Sequence, residues 1–243
     1  MIIIRSGWSI RAVYLAAAAM LVLLFGLISS SFAQDAMEAA YVRGHFGYGD
    51  DVWRASDFGW FYYDLDKDQG GEELKIDLDG RTAEKGHLVY SSSVWSQEFE
   101  YKPWGSYQAV AFFGKPYLAG YRNESFTEDV SDLEKGELRE VLIDEDLPAT
   151  MSRNSTISLR QGYVLAAAGV SDKRGAVNMY LLKNGQTVYA SVVDIGDTFV
   201  YKVNDVPLIL VHIANAMRGS DDWIVEVDGV FQVSDQPYIQ FQE

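Results

Sequence analysis

Lys183-Asn184-Gly185-Gln186 sits between two alternating apolar runs, Val177-Met179-Leu181 before it and Val188-Ala190-Val192 after it. A two-residue hairpin turn of type I′ needs positive φ at both central positions. Asn-Gly supplies that at low cost, so the stretch reads as two antiparallel strands joined by a tight turn. The same period of two recurs elsewhere. Leu74, Ile76 and Leu78 alternate with Lys75 and Asp77, and Phe99 and Tyr101 alternate with Glu98, Glu100 and Lys102. Phe199, Tyr201 and Val203 alternate with Lys202, and Trp223, Val225 and Val227 with Glu226 and Asp228. Each pattern describes a half-buried strand with one wet face.

Phe58 to Leu65 is apolar on both sides, which predicts a central strand covered on each face. Asp172 to Gly175 and Asp228-Gly229 read as further turns. Helical periodicity is confined to Val130 to Arg139 and Ala214 to Arg218, the two short helices this sequence suggests. The expected fold is all-β: two linked antiparallel β-sandwiches after an N-terminal signal peptide. The first sandwich is expected over residues 51–150 and the second over 151–243, divided near Leu147-Pro148 to Asn154. Residues 206–243 are placed to pack back on the first.

The signal peptide is expected over residues 1–33. Arg5 and Arg11 form a basic start, Ala12 to Ile28 is almost wholly apolar, and Ser31-Phe32-Ala33 fits cleavage after Ala33. About 17 apolar residues reach roughly 26 Å as a helix, short of a comfortable bilayer span, so a cleaved leader is favoured over a retained anchor. Residues 34–50 read as a flexible, glycine-containing segment. The chain is therefore expected to be exported, with no membrane span after cleavage.

Composition excludes several classes of function. The chain of 243 residues carries 35 acidic and 20 basic side chains, a net charge of −15. Without the leader's two arginines the charge becomes −17. Nucleic-acid phosphates and anionic lipid headgroups repel such a surface. There is no cysteine, which removes disulfides, thiol nucleophiles and zinc-thiolate sites. With 14% aromatic residues the chain has ample material for a packed core.

Asp64, Asp66 and Asp68 stand at i, i+2 and i+4 in Asp64-Leu65-Asp66-Lys67-Asp68-Gln69-Gly70. This spacing can fold three hard oxygens around calcium, as in the first half of an EF-hand loop. The complete EF-hand pattern fails, because Gln69 stands at the sixth position and Lys75 at the twelfth. The competing reading is a polar connecting loop. Calcium at Asp64, Asp66 and Asp68 is the one candidate cofactor. Asn123-Glu124-Ser125 and Asn154-Ser155-Thr156 are N-glycosylation sequons, which makes Asn123 and Asn154 candidate glycan sites on surface loops. Glu124 to Asp146 is acid-rich and reads as a solvated face.

None of His45, His87 and His212 has a metal-ligand neighbour at i+2 or i+4, and no nucleophile elbow or phosphate loop occurs. No enzyme activity is expected, and no catalytic residue is nominated. A catalytic reading would require a pocket of converging acids or histidines.

Several segments, taken in order, resemble the S-layer duplication domain of Methanosarcina-type archaea. They begin with Trp53-Arg54-Ala55-Ser56-Asp57-Phe58, Phe61-Tyr62-Tyr63-Asp64-Leu65-Asp66 and Glu73-Leu74. They continue with Phe99-Glu100-Tyr101, Trp104-Gly105-Ser106-Tyr107, Tyr117-Leu118-Ala119-Gly120-Tyr121 and Val141-Leu142-Ile143-Asp144. The set closes with Gly162-Tyr163, Leu182-Lys183-Asn184-Gly185, Val206-Pro207-Leu208-Ile209, Val211-His212 and Gly229-Val230-Phe231-Gln232-Val233-Ser234. The resemblance implies a β-sandwich unit in a glycosylated surface lattice whose acidic pores sieve solutes, with other S-layer copies or lattice proteins as partners. Family tiles carry the unit twice and end in a tether and anchor. This chain shows one unit without those extensions, so a single-copy component or a lattice-associated exported protein is expected. The alternative is a secreted carbohydrate-binding or adhesive β-sandwich module, with Trp95, Trp104 or Trp223 exposed to stack on sugar rings.

Overall fold

A computed structural model describes residues 52–77, 85–122, 130–171 and 175–240. The expected leader, the 34–50 segment, His45, Leu78, Asn123 and the turn residues 172–174 lie outside the described residues. The described chain is all-β and its strand pairs are antiparallel, with one 3₁₀ turn at Lys102–Trp104. Among the described residues, no helix is long and apolar enough to cross a membrane.

Three sheets form. The first joins β1 (Val52–Arg54), β2 (Glu72–Ile76) and β3 (Leu88–Ser92) in that order. The largest has the order β14-β15-β16-β8-β6-β5-β4. Its strands are β4 (Trp95–Glu98), β5 (Ser106–Phe112), β6 (Lys115–Tyr121), β8 (Glu137–Glu145), β14 (Thr198–Val203), β15 (Val206–Arg218) and β16 (Trp223–Val233). β7 (Val130–Ser131), β9 (Ala149–Ser152) and β17 (Ile239–Gln240) pair with β6, β16 and β8 respectively. The last sheet contains β10 (Ile157–Ser158), β11 (Tyr163–Val170), β12 (Val177–Lys183) and β13 (Gln186–Val193).

The β12–β13 hairpin closes as expected: Asn184 and Gly185 have φ of 51° and 82°, and Lys183 faces Gln186. β15 and β16 form the spine of the large sheet. Val206 to Val211 is buried on both faces, as its continuous apolar run demands. β8 and β9 lie end to end beside β16, from Val230–Val233 to Ile224–Val227. Pro148, which has no N–H to donate, separates them without diverting the chain. The position of the expected division, 147–154, therefore falls within a row of strands beside β16. The 206–243 segment reaches the earlier strands through that pairing and through β17.

The four-stranded sheet and the large sheet share one buried cluster. Leu165, Met179 and Leu181 from the former join Phe99, Phe199, Val225 and Phe231 of the latter side. Phe99 is its aromatic hub, with ring centroids 4.8 Å from Tyr107 and 4.9 Å from Phe231. The first pair is tilted and the second edge-on, and such offset geometries add to simple area burial. A smaller cluster of Val110, Tyr117, Ala119 and Leu138 sits apart from it.

Four local expectations are corrected. Phe58 to Leu65 is a series of turns, not a central strand. Its aromatics fold around one another, Phe58 against Trp53 at 5.1 Å and Phe61 at 4.9 Å, while Trp60 points to solvent. A short apolar run carries no periodicity able to separate these outcomes. Phe99 to Lys102 leaves the sheet after Glu98 and enters the 3₁₀ turn, where Pro103 cannot supply a ladder bond. Val130 to Arg139 and Ala214 to Arg218 are strand and turn rather than helix, because short helices are marginal and pairing with neighbouring strands prevails. Asp228-Gly229 is a bulge within β16, not a turn. His212 faces Asp228 and Val211 faces Val230, leaving Gly229 unopposed at φ 61°.

Candidate functional site

Asp64, Asp66 and Asp68 do share one tight turn. Backbone bonds of 2.8 and 3.1 Å between Asp64 and Gln69 close it. Asp64 Oδ1 accepts the amides of Asp66 and Lys67 at 3.0 and 3.1 Å, the pattern of an Asx turn. The Lys67 ammonium lies 3.9 Å from Asp64 Oδ2 and 2.6 Å from Glu100 Oε1. Asp68, at φ 52°, accepts the Tyr63 hydroxyl. The carboxylates of Asp64 and Asp68 therefore serve the turn itself. Among the described residues, no group of three His, Asp or Glu side chains is placed to hold a metal ion.

Asn154 is exposed at the tip of the turn between β9 and β10. Ser152 and Ser155 close that turn, with Ser155 N–H donating to the Ser152 carbonyl at 3.2 Å. Asn123 lies outside the described residues.

The tryptophans chosen as sugar-stacking candidates are largely committed to packing. Trp104 and Trp223 are buried, and the Trp104 indole N–H donates to Thr198 Oγ1 at 2.9 Å. Trp95 is half-buried and stacks on Tyr62 at 5.9 Å. The most exposed aromatics are different ones: Trp60 at 81% and Phe113 at 77% of their full surface. Phe113 stacks on Tyr90 with centroids 4.9 Å apart and rings 5° from parallel. It occupies φ 49° at the apex of the β5–β6 hairpin, beside Gly114 at φ 82°. Its only warning in the sequence is an aromatic-glycine pair between two alternating runs.

Most buried polar groups are engaged by the fold, while Gln69 Oε1, Ser92 Oγ, both carboxylate oxygens of Asp132 and Arg139 Nε make no hydrogen bond among the described residues. Glu72, 2% exposed, accepts the Tyr62 amide at 2.6 Å, the Tyr90 hydroxyl at 2.7 Å and the Gly114 amide at 3.1 Å. It ties the three-stranded sheet to the β5–β6 turn. Asp144 accepts the Glu100 amide at 2.9 Å and the Tyr107 hydroxyl at 3.2 Å. Burial pushes its carboxyl up to about 6, against the pull of the Glu100 bond. Asp132 is fully buried beside Arg139, whose Nε is 3.5 Å away. Burial raises Asp132 to about 6 as well, with Arg139 opposing. Asp235 holds Lys183 and the Tyr163 hydroxyl. Burial pushes the Asp235 carboxyl up, but these two partners outweigh it and leave the group below the ordinary carboxylate value.

His212 stacks on Tyr101 at 4.6 Å, with Nδ1 2.5 Å from Asp228 and Nε2 3.0 Å from the Gly196 carbonyl. Both ring nitrogens are occupied by acceptors, so neither is directed at a nucleophile. A cleft of about 450 Å³ beside it is lined by Tyr101, Trp104, Thr198 and His212. A second, of about 700 Å³, holds Lys67 and Lys102, each already paired with a glutamate. Neither cleft gathers acids into a catalytic pair.

The described fold is an antiparallel β-sandwich arrangement carried by a strongly acidic chain. The S-layer protein family model matches residues 43–243, and the chain belongs to that family. It is 26% identical over 207 residues to the major S-layer protein of Methanosarcina barkeri, covering 79% of this chain and 30% of the relative. The major S-layer protein of Methanosarcina acetivorans is 26% identical over 204 residues, 77% of this chain and 29% of that protein. The Methanosarcina mazei counterpart is 24% identical over 208 residues, 79% and 30% respectively. The chain thus spans about 30% of the length of the relatives it matches.

Proposed function

We propose that this chain is an exported, non-catalytic structural component of a cell-surface S-layer, assembling beside other S-layer copies. The family match across residues 43–243 carries the reading. Two features of the molecule support it: sheets that end in open strands, and a strong excess of acid over base. Rigid sheets supply lateral contacts, and negative charge around openings between copies repels anions. Asn154, exposed on a turn, and Asn123 are the proposed glycan sites. A divalent cation such as calcium is proposed as a bridge between acidic surfaces of neighbouring copies, rather than as a resident of the Asp64–Asp68 turn.

Fractionation of the cell envelope with mass spectrometry tests this. The chain is expected in the isolated surface layer, processed after Ala33, with glycan mass on Asn123 and Asn154. Recovery solely from cytoplasm, unmodified, would overturn the reading.

A further inference from the structure

Among the described strands β3 is an edge, and its ladder parity shows which of its backbone groups turn away from β2. In the β2–β3 pair the amide of Asp77 donates to the His87 carbonyl at 2.8 Å, and that of Ser93 to the Gly71 carbonyl at 3.0 Å. Backbone groups alternate sides along a strand. Residues 87, 89, 91 and 93 therefore face β2, while Leu88, Tyr90 and Ser92 turn their N–H and C=O groups outward. The pairing runs from Glu72↔Ser92 to Ile76↔Leu88 without a bulge. No described strand pairs with the outer side of β3. Leu88 and Val89 are exposed, and Val94 just beyond them is too.

This edge is also free of charge. Leu88 to Gln97 contains no Asp, Glu, Lys or Arg in a chain where 23% of residues are charged. The other sheet ends differ. β1 carries Arg54, β4 carries Glu98 and β14 carries Lys202, while β10 has two residues. β13 is uncharged, but a register shift leaves Val188 as an extra residue and breaks its outward row. Proteins ordinarily blunt edges with charge, proline or bulges. β3 has none of the three.

We propose that β3 is the surface through which two copies of this chain pair, antiparallel, about a two-fold axis at Tyr90. The proposal rests on the S-layer reading for its purpose and adds the contact that serves it. A second copy is the fitting occupant because two molecules of net charge −15 approach with least repulsion where both lack charge. The edge is also self-complementary. Centred on Tyr90, outward residues meet outward residues: Tyr90 faces Tyr90 of the partner subunit, and Leu88 faces Ser92 of the partner subunit. Three such narrow pairs provide about six backbone hydrogen bonds. Phe113, stacked on Tyr90 and mostly exposed, supplies apolar surface beside the axis. The result is an isologous contact.

In this arrangement Val89 lies directly opposite Ser91 of the partner subunit in a wide pair, where side chains approach closely. Sedimentation equilibrium of the purified protein across a concentration range is the test. The wild type is expected to form a dimer. Val89→Glu with Ser91→Glu opposes like charges twice across the axis and is expected to raise the dissociation constant about tenfold or more. Val89→Glu with Ser91→Lys opposes unlike charges and is expected to restore association to within about threefold of wild type. Both variants share the substitution at Val89, so misfolding from it cannot produce the restoration. Equal association of both variants, failure of the charge swap to restore it, or a wild type monomeric throughout would overturn the β3 contact. Absence of the chain from isolated surface layers would instead overturn the S-layer reading, whatever the dimer does.

Discussion

Glu72 and Tyr90 meet at 2.7 Å across neighbouring strands, and the same carboxylate reaches Gly114 at the β5–β6 turn. Tyr90 in turn accepts the Phe113 amide at 3.2 Å through its hydroxyl and supports the Phe113 ring. One buried acid thus joins two sheets and holds an exposed aromatic at a φ that side chains other than glycine rarely adopt.

Glu72→Ala is expected to destabilise the protein by about 2 kcal/mol, since half-buried donors from Tyr62, Tyr90 and Gly114 lose their acceptor. The effect should be local first. Hydrogen exchange should show residues 52–77 and 85–92 opening well below the energy of global unfolding. Unchanged protection there, with an unchanged urea midpoint, would show that the clamp contributes little.

Gly229→Ala tests the bulge. A Cβ at Gly229 would stand 2.5 Å from Cγ of Tyr101, at φ 61°. Tyr101 is itself held against His212 and Trp104, so the ring cannot easily yield. A loss of about 2 kcal/mol or more is expected, read as a lower melting temperature. An Ala variant that melts with the wild type would mean the strand relaxes freely.

Stability should fall as pH rises through about 6. Burial raises Asp144 and Asp132 to about 6, above the unfolded carboxylate value near 3.9. The folded state therefore holds their protons more tightly than the unfolded state does. That contribution is fully present below about pH 4 and is lost by about pH 7. Each group contributes at most about 3 kcal/mol. Asp144→Asn keeps an acceptor for the Glu100 amide and should flatten the pH profile of the melting temperature between 5 and 7.5, within about half of the wild-type slope. A slope identical to wild type would remove Asp144 as a cause.

How legible the fold was follows the range of the interactions. The β12–β13 hairpin was readable because Asn184-Gly185 and its flanking alternation settle it within a few residues. The half-wet strands around Tyr201 and Val225 were readable for the same reason. Strand order was not, since β16 finds β8 and β9 only through pairing across the chain. Asp228-Gly229 misled because a left-handed glycine serves a bulge as well as a turn. Among site residues, Asp64's carboxylate did land in a tight loop, but its partners are the loop's own amides. Glu72 stands in the sequence beside Glu73 with no motif around it. Its donors are 10, 18 and 42 residues away, a distance no local pattern reports. Nothing in the sequence marks Trp60 and Phe113 as exposed, because exposure of a large aromatic is a property of the packed molecule alone.

Divalent cations should govern how far assembly proceeds beyond any pair. Each copy carries a net −15, so bringing many copies into a layer accumulates repulsion that monovalent salt screens only over about 8–10 Å. Calcium at an acidic contact both screens and bridges, since its oxygen-rich coordination suits carboxylates from two molecules. Light scattering in millimolar calcium should therefore report larger particles than in chelator at equal ionic strength. The β3 contact, which holds no charge, should respond least, leaving a pair in chelator where larger assemblies have dissolved. Identical particle size in both solutions would exclude ion bridging. Loss of the pair itself on chelation would mean that carboxylates, rather than an uncharged edge, hold the two copies together.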